Sequence, residues 1–134
     1  TARELLGSDE ILLGASVHSI EEAEEARDEG ADYLFLGTIF TSSSHPDRPP
    51  AGIDLLREVA ELVPLPLIAI GGMKPGRVRE VTDAGASGVA SISAIWDAPD
   101  PAAAVDDFLQ ALDRAPGRNR GRVSGENRDR HGNA

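Results

Sequence analysis

The 134 residues suit one domain, and 40% apolar with 27% charged residues is an ordinary balance for a globular chain. There is no cysteine, which excludes disulfides, thiolate metal sites and a cysteine nucleophile and fits a cytoplasmic protein. No apolar run reaches the ~18 residues of a membrane span, and no signal-peptide pattern is visible. The net charge of −10 is unevenly spread: residues 114–134 carry six Arg against Glu126 and Asp129, so residues 1–113 hold −14. An acidic body argues against nucleic acid as a partner. It also obliges any anionic ligand to be captured by local dipoles against the overall field.

The chain opens at Thr1 directly on a helical pattern, Ala2 to Leu6, closed by Gly7. Such an opening is expected of a sequence that begins partway through a longer one. Ile11 to Ser16 reads as a strand. Ser19 is an N-cap with Glu22 three residues on, the spacing of a capping box, and its helix runs over Glu21–Glu29 to Gly30. Asp32 to Gly37 is the next strand. The polar loop Thr41 to Pro50 is long for a strand-to-helix connection, and loops of that length are often functional. Ile53 to Val63 is an amphipathic helix with Leu55, Leu56, Val59 and Leu62 on its apolar face. A strand at Leu67–Ile70, a helix from Pro75 to Ala84 and a strand at Gly88–Ile92 follow. Asp100-Pro101 supplies an N-cap and a proline at the first helical position, opening a last helix to about Asp113.

Two joints repeat, Asp28-Glu29-Gly30-Ala31-Asp32 and Asp83-Ala84-Gly85-Ala86-Ser87, each a helix-ending glycine leading straight into a strand. Four strand–helix units plus a leading helix imply an α/β fold with a parallel sheet. The apolar runs Leu67–Ile70 and Gly88–Ile92 predict strands buried on both faces. Both end in small residues followed by helix-start signals. Gly71-Gly72 lacks Cβ atoms, which permits a sharp turn and close approach of a ligand to the main chain. Backbone N–H groups there, beside helix N-termini, make an anion site, most naturally for phosphate. After Ala115-Pro116-Gly117 the polar, Arg-rich remainder reads as a disordered tail, which gives a folded body over 1–113 and a tail over 114–134.

Five motifs in this order and spacing are Gly14-Ala15-Ser16-Val17-His18-Ser19, Gly30-Ala31-Asp32-Tyr33, Gly37-Thr38-Ile39-Phe40, Ala69-Ile70-Gly71-Gly72 and Gly85-Ala86-Ser87-Gly88-Val89-Ala90 through Ile92-Ser93-Ala94-Ile95. Together they resemble the thiamine phosphate synthase family, which includes the related thiazole tautomerases. The resemblance covers residues 1 to about 112. It implies a partial (β/α)8 barrel, with this chain supplying strands 5 to 8 and their helices. A whole barrel needs about 200 residues or more, so a homo-oligomer or a missing N-terminal half is the expected complement.

By that resemblance Gly72, Ile92 and Ser93 hold a thiazole phosphate through their backbone, after the last two strands, where this fold commonly binds phosphate. Ser16 matches a serine lying against the pyrimidine substrate; a buried serine satisfied by backbone is the alternative. The family's Thr-x-Thr-Lys loop falls on Ser42, Ser43, Ser44 and His45, so hydroxyls persist while the lysine that meets the departing diphosphate becomes a histidine. Arg48 is a substitute cation. The histidine that tautomerases carry after strand 6 is Thr38 here, leaving His45 or His18 for that role. Magnesium is expected for the family, with its aspartates outside this sequence; Asp97 and Asp100 follow the last strand, and capping explains Asp100. The implied reaction is that of a transferase joining a hydroxymethylpyrimidine diphosphate to the thiazole phosphate with release of diphosphate. A thiazole tautomerase and a non-catalytic phosphate-binding half barrel are the alternatives.

Overall fold

The computed structural model describes residues 1–42, 46–47 and 49–115. Four strands, β1 (Gly14–Val17), β2 (Tyr33–Leu36), β3 (Leu67–Ile70) and β4 (Gly88–Ala90), form one sheet in sequential order. All three pairings are parallel. Among the described residues six helices accompany them: α1 (Ala2–Leu6), α2 (Ile20–Asp28), α3 (Gly52–Leu62), α4 (Val78–Asp83), α5 (Ser93–Trp96) and α6 (Pro101–Asp113). A 3-10 turn over Pro75–Arg77 leads into α4. Sequential parallel strands joined by helices are the expected half-barrel arrangement.

The register sorts the side chains. Val17, Leu36 and Ala69 lie side by side, as do Leu34 and Leu67, and all five are buried under the helices. They pack with Ala23 of α2, Leu56 and Val59 of α3, Val78 and Val81 of α4 and Phe108 of α6. The alternate residues Phe35, Ile68 and Ile70 face the other way and are half-buried. The expectation that β3 is covered on both faces is therefore corrected: its burial alternates, because these helices cover one side of the sheet. On the open side Tyr33 and Phe35 meet edge to face, with centroids 5.7 Å apart. Gly14 is a glycine because the Tyr33 ring lies where a Cβ would stand, 2.4 Å away.

The two repeated joints are the same device. In each, a glycine with positive φ (Gly30 at 93°, Gly85 at 113°) follows the helix, and the next N–H reaches back to the helix, Ala31 to Ala26 O and Ala86 to Val81 O. One residue on, the Asp32 N–H bonds Leu13 O and the Ser87 N–H bonds Leu67 O, both at 2.7 Å. Helix capping thus passes directly into sheet pairing.

Several boundaries move. β1 starts at Gly14, three residues late, because Ile11 and Leu12 are exposed and the Leu13 N–H bonds the Asp32 carboxylate instead of a neighbouring strand. β4 ends at Ala90, so Ile92 and Ser93 belong to the start of α5, a helix the sequence reading did not contain. The Ser19–Glu22 box is half made: Ser19 Oγ accepts the Glu22 N–H at 3.1 Å, but the Glu22 carboxylate takes the His18 N–H at 2.7 Å. The folded body extends past residue 113, since Arg114 caps α6 and Ala115 is buried. The remainder of the expected tail, 116–134, lies outside the described residues.

Arg3 ties the leading helix to the sheet. Its guanidinium donates to Gly30 O at 2.8 Å, to Ile11 O at 2.9 Å and to the Asp32 carboxylate. The Leu13 N–H, and secondly Arg3, hold the Asp32 carboxyl below its ordinary value of 3.8. A depressed carboxylate stabilises the fold above its unfolded pKa, and that contribution is lost as pH falls through the folded one. The Tm advantage of the wild type over Asp32→Asn should accordingly shrink as pH is lowered from about 5 to 3. A constant gap over that range would remove Asp32 from the acid response.

Candidate functional site

All four strands end on one side of the sheet, and there a cleft of about 230 Å³ opens. Each strand end contributes: Ser16 and His18, then Thr38 and Ser42, then Ile70 to Met73, then Ala90 to Ser93. Phe35, Ile70 and Ala90 make it apolar toward the sheet, while the turns around it are polar. This combination suits a small ring carrying a charged substituent.

The turn after β3 is tightly specified. Gly71 and Gly72 both have positive φ, 100° and 61°. The Ile39 N–H bonds Ile70 O at 3.0 Å and the Phe40 N–H bonds Gly71 O at 3.1 Å, drawing the β2 loop against the turn. A Cβ on Gly71 would stand 2.4 Å from Thr38 Cγ2, and one on Gly72 would stand 2.6 Å from Thr41 O. The space those glycines leave is therefore filled by the neighbouring loop. The missing Cβ atoms let the β2 loop pack against the turn, while Gly71 and Gly72 still line the cleft.

Among the described residues, the N–H groups of Gly72, Ile92 and Ser93 have no protein acceptor. Gly72, Ile92 and Ser93 all line the cleft, so the structure brings the three together at the ends of β3 and β4. Ile92 is 64% exposed and precedes the first turn of α5. Unpaired N–H groups beside a cleft favour an anion.

Ser16 is exposed and lines the cleft, which corrects the alternative of a buried serine satisfied by backbone. Ser42 is half-buried on the same wall, and Thr38 stands beside it. His18 sits at the rim, its Nδ1 3.2 Å from Glu22 Oε2 in an exposed pair. Ser43, Ser44, His45 and Arg48 lie outside the described residues. Among the described residues no group of three or more His, Asp or Glu is placed to hold a metal ion. Asp100 accepts the Ala103 N–H at 3.2 Å as the cap of α6. The described side chains do not form a magnesium site.

Behind the glycine turn lies a second hollow of about 430 Å³, lined by Thr41, Lys74, Arg77 and Asp97 and sharing Gly72, Met73 and Ser93 with the cleft. Lys74 is the chain's single lysine. Arg77 lies over the Phe40 ring, 4.5 Å from its centroid, and donates to Gly72 O at 2.5 Å. The sequence reading missed both cations. The available signal was a Lys and an Arg within five residues of Gly71-Gly72 in an otherwise acidic body.

Comparison with known proteins is consistent across three kinds of match. Residues 1–95 match the thiamine monophosphate synthase family model. A bifunctional thiamine biosynthesis protein of Symbiobacterium thermophilum is 46% identical, covering 87% of this chain and 24% of its own length. A thiamine-phosphate synthase of Haloarcula marismortui is 41% identical over 84% of this chain and 55% of its own. The solved thiamine phosphate pyrophosphorylase from Pyrococcus furiosus superposes with a TM-score of 0.73 at 38% identity, covering 80% of this chain and 51% of that one. The chain thus spans about half the length of those two enzymes and a quarter of the bifunctional protein.

Proposed function

The chain belongs to the thiamine monophosphate synthase family, and from that membership we propose that it forms the thiazole-phosphate half of a thiamine-phosphate synthase. The observation that carries the reading is that Gly72, Ile92 and Ser93, whose N–H groups have no protein acceptor among the described residues, all line one cleft. A phosphate dianion accepts from those donors, and charge-assisted bonds of this kind are about twice as strong as neutral ones. The thiazole ring then rests toward Phe35, Ile70 and Ala90, with its nitrogen turned to the side of the cleft where Ser16 and Ser42 stand.

In the proposed reaction the thiazole nitrogen lone pair forms a bond to the pyrimidine methylene carbon. The methylene–oxygen bond breaks, and its electron pair leaves with diphosphate. No proton transfer is needed at the carbon. The protein's part is to position the reactants and stabilise the departing charge. Ser16 is assigned to the pyrimidine and the Ser42 hydroxyl to the reacting groups. His45 takes the place of the lysine that meets diphosphate; as a neutral imidazole it is the weaker partner unless paired. Magnesium would neutralise the diphosphate, held by residues other than those described here. A complementary set of strands covers the half-exposed face of the sheet in the working barrel.

The tautomerase alternative has less support. Curated relatives at 38–46% identity are named as thiamine-phosphate synthases or as the bifunctional protein, and Thr38 cannot serve as a general base near neutral pH. Among the described residues no helix is long and apolar enough to cross a membrane, and we place the activity in the cytoplasm.

Calorimetric titration of the chain with thiazole phosphate and with the corresponding thiazole alcohol tests the site. The phosphate ester should bind at least about tenfold more tightly, the equivalent of one charge-assisted hydrogen bond. Equal affinities would sink the phosphate reading.

A further inference from the structure

Three successive carbonyls at the end of β3 are each held by a donor from elsewhere: Ile70 O by the Ile39 N–H, Gly71 O by the Phe40 N–H and Gly72 O by Arg77 Nη1. The first two are ordinary loop pairings. The third is a side chain reaching back five residues, and it is the charged one. We infer that Arg77 is a positioning residue for the phosphate-binding turn, holding the carbonyl of Gly72, the residue whose N–H is one of the three proposed phosphate donors; this rests on the phosphate reading of the cleft.

The physical argument starts from the peptide unit. In a trans peptide the C=O and the following N–H point in opposite directions. Fixing Gly71 O on Phe40 turns the Gly72 N–H away from the β2 loop. Fixing Gly72 O on Arg77 does the same for the Met73 N–H. Gly72 and Met73 line both the cleft and the adjoining hollow, and Arg77 lines the hollow. The guanidinium therefore holds the turn from the hollow's side.

Two glycines in left-handed conformations are the most permissive backbone the chain has, so without an anchor this turn samples several orientations. Arg77 is itself anchored. Its guanidinium lies over the Phe40 ring, a cation–π contact, and Phe40 packs against the core. The 3-10 turn Pro75–Arg77 sets its backbone, with the Arg77 N–H on Lys74 O at 2.9 Å. Within an acidic body, Arg77 adds a positive charge close to where the phosphate would sit.

The test uses three forms of the chain: wild type, Arg77→Met, which keeps an unbranched side chain without the charge or the donors, and Arg77→Lys, which keeps the charge. Each is titrated with thiazole phosphate and with thiazole alcohol, and its amide spectrum and melting midpoint are recorded. Arg77→Met should weaken thiazole phosphate binding about tenfold while leaving the alcohol unchanged. Arg77→Lys should recover part of the loss. The Gly72 and Met73 amide resonances should shift in Arg77→Met without ligand. If wild type prefers the phosphate and Arg77→Met keeps that preference, the role of Arg77 is overturned alone. If wild type shows no preference, the phosphate reading falls and takes this role with it. If Arg77→Met loses affinity for both ligands in proportion to a lowered midpoint, Arg77 is a structural clip, and the inference is wrong. Should Arg77→Met not fold, Arg77→Lys decides: an undiminished phosphate preference with unshifted Gly72 and Met73 amides leaves only the charge, and the directional role is refuted.

Discussion

Gly72→Asp is expected to remove measurable thiazole-phosphate binding and to lower stability in the same step. The carboxylate would bring a negative charge to the turn proposed to hold the anion. The Cβ alone carries a separate penalty, because Gly72 has φ 61° and a side chain there would meet Thr41 O at 2.6 Å and Phe40 Cβ at 2.8 Å. Left-handed strain costs on the order of 1–3 kcal/mol, and overpacking a similar amount. Gly72→Ala separates the two effects, since it carries the strain and the overlap without the charge. Urea unfolding should place Gly72→Ala about 2–5 kcal/mol below wild type. Titration should find binding weakened in Gly72→Ala and absent in Gly72→Asp. An alanine variant as stable as wild type would mean that the β2 loop does not press on the turn.

The second large effect is expected in the core. Leu36 is fully buried in the second strand of the sheet, between Val17 and Ala69 and under the helices. Leu36→Ala removes three carbons and leaves a cavity that flanking strands cannot close, a loss of about 2–5 kcal/mol. Small domains hold only about 5–15 kcal/mol in total, so this variant should melt far lower or fail to fold. Phe35, one residue earlier, is half-buried and points to the cleft side with Tyr33. Phe35→Ala should therefore cost less than Leu36→Ala, although it removes the larger side chain. Thermal unfolding of both variants decides the order. The reverse order would mean that the cleft face of the sheet is covered in solution.

Much of this was legible in the residues. Alternation of apolar runs with capped helices set the order of elements, and the paired Gly30 and Gly85 joints set the repeat. Local chemistry decides these features: a glycine after a helix takes positive φ whatever surrounds it, and a proline at a first helical turn needs no partner. The five spaced motifs carried the family, and the comparisons bear it out. Strand edges were less legible. Ile11 and Leu12 are as apolar as strand residues, yet what excludes them is the Asp32 carboxylate taking the Leu13 N–H, a contact nineteen residues away.

At the site the division is sharper. Family resemblance identified Gly72, Ile92 and Ser93 as candidates, but not why the glycines are glycines. That depended on the β2 loop, whose Thr38, Phe40 and Thr41 occupy the space a Cβ would take. Arg77 was a cation near Gly71-Gly72 in an acidic body, and its role depended on the fold. Its spacing does not give its partners, which appear only when the turn folds its guanidinium back onto Gly72 O and the loop brings Phe40 beneath it. Residue type and local spacing fix capping, periodicity and charge, because those act within a few residues along the chain. Which carbonyl a side chain reaches and which face of a sheet stays open are settled by elements distant in sequence, and only the tertiary structure brings those together.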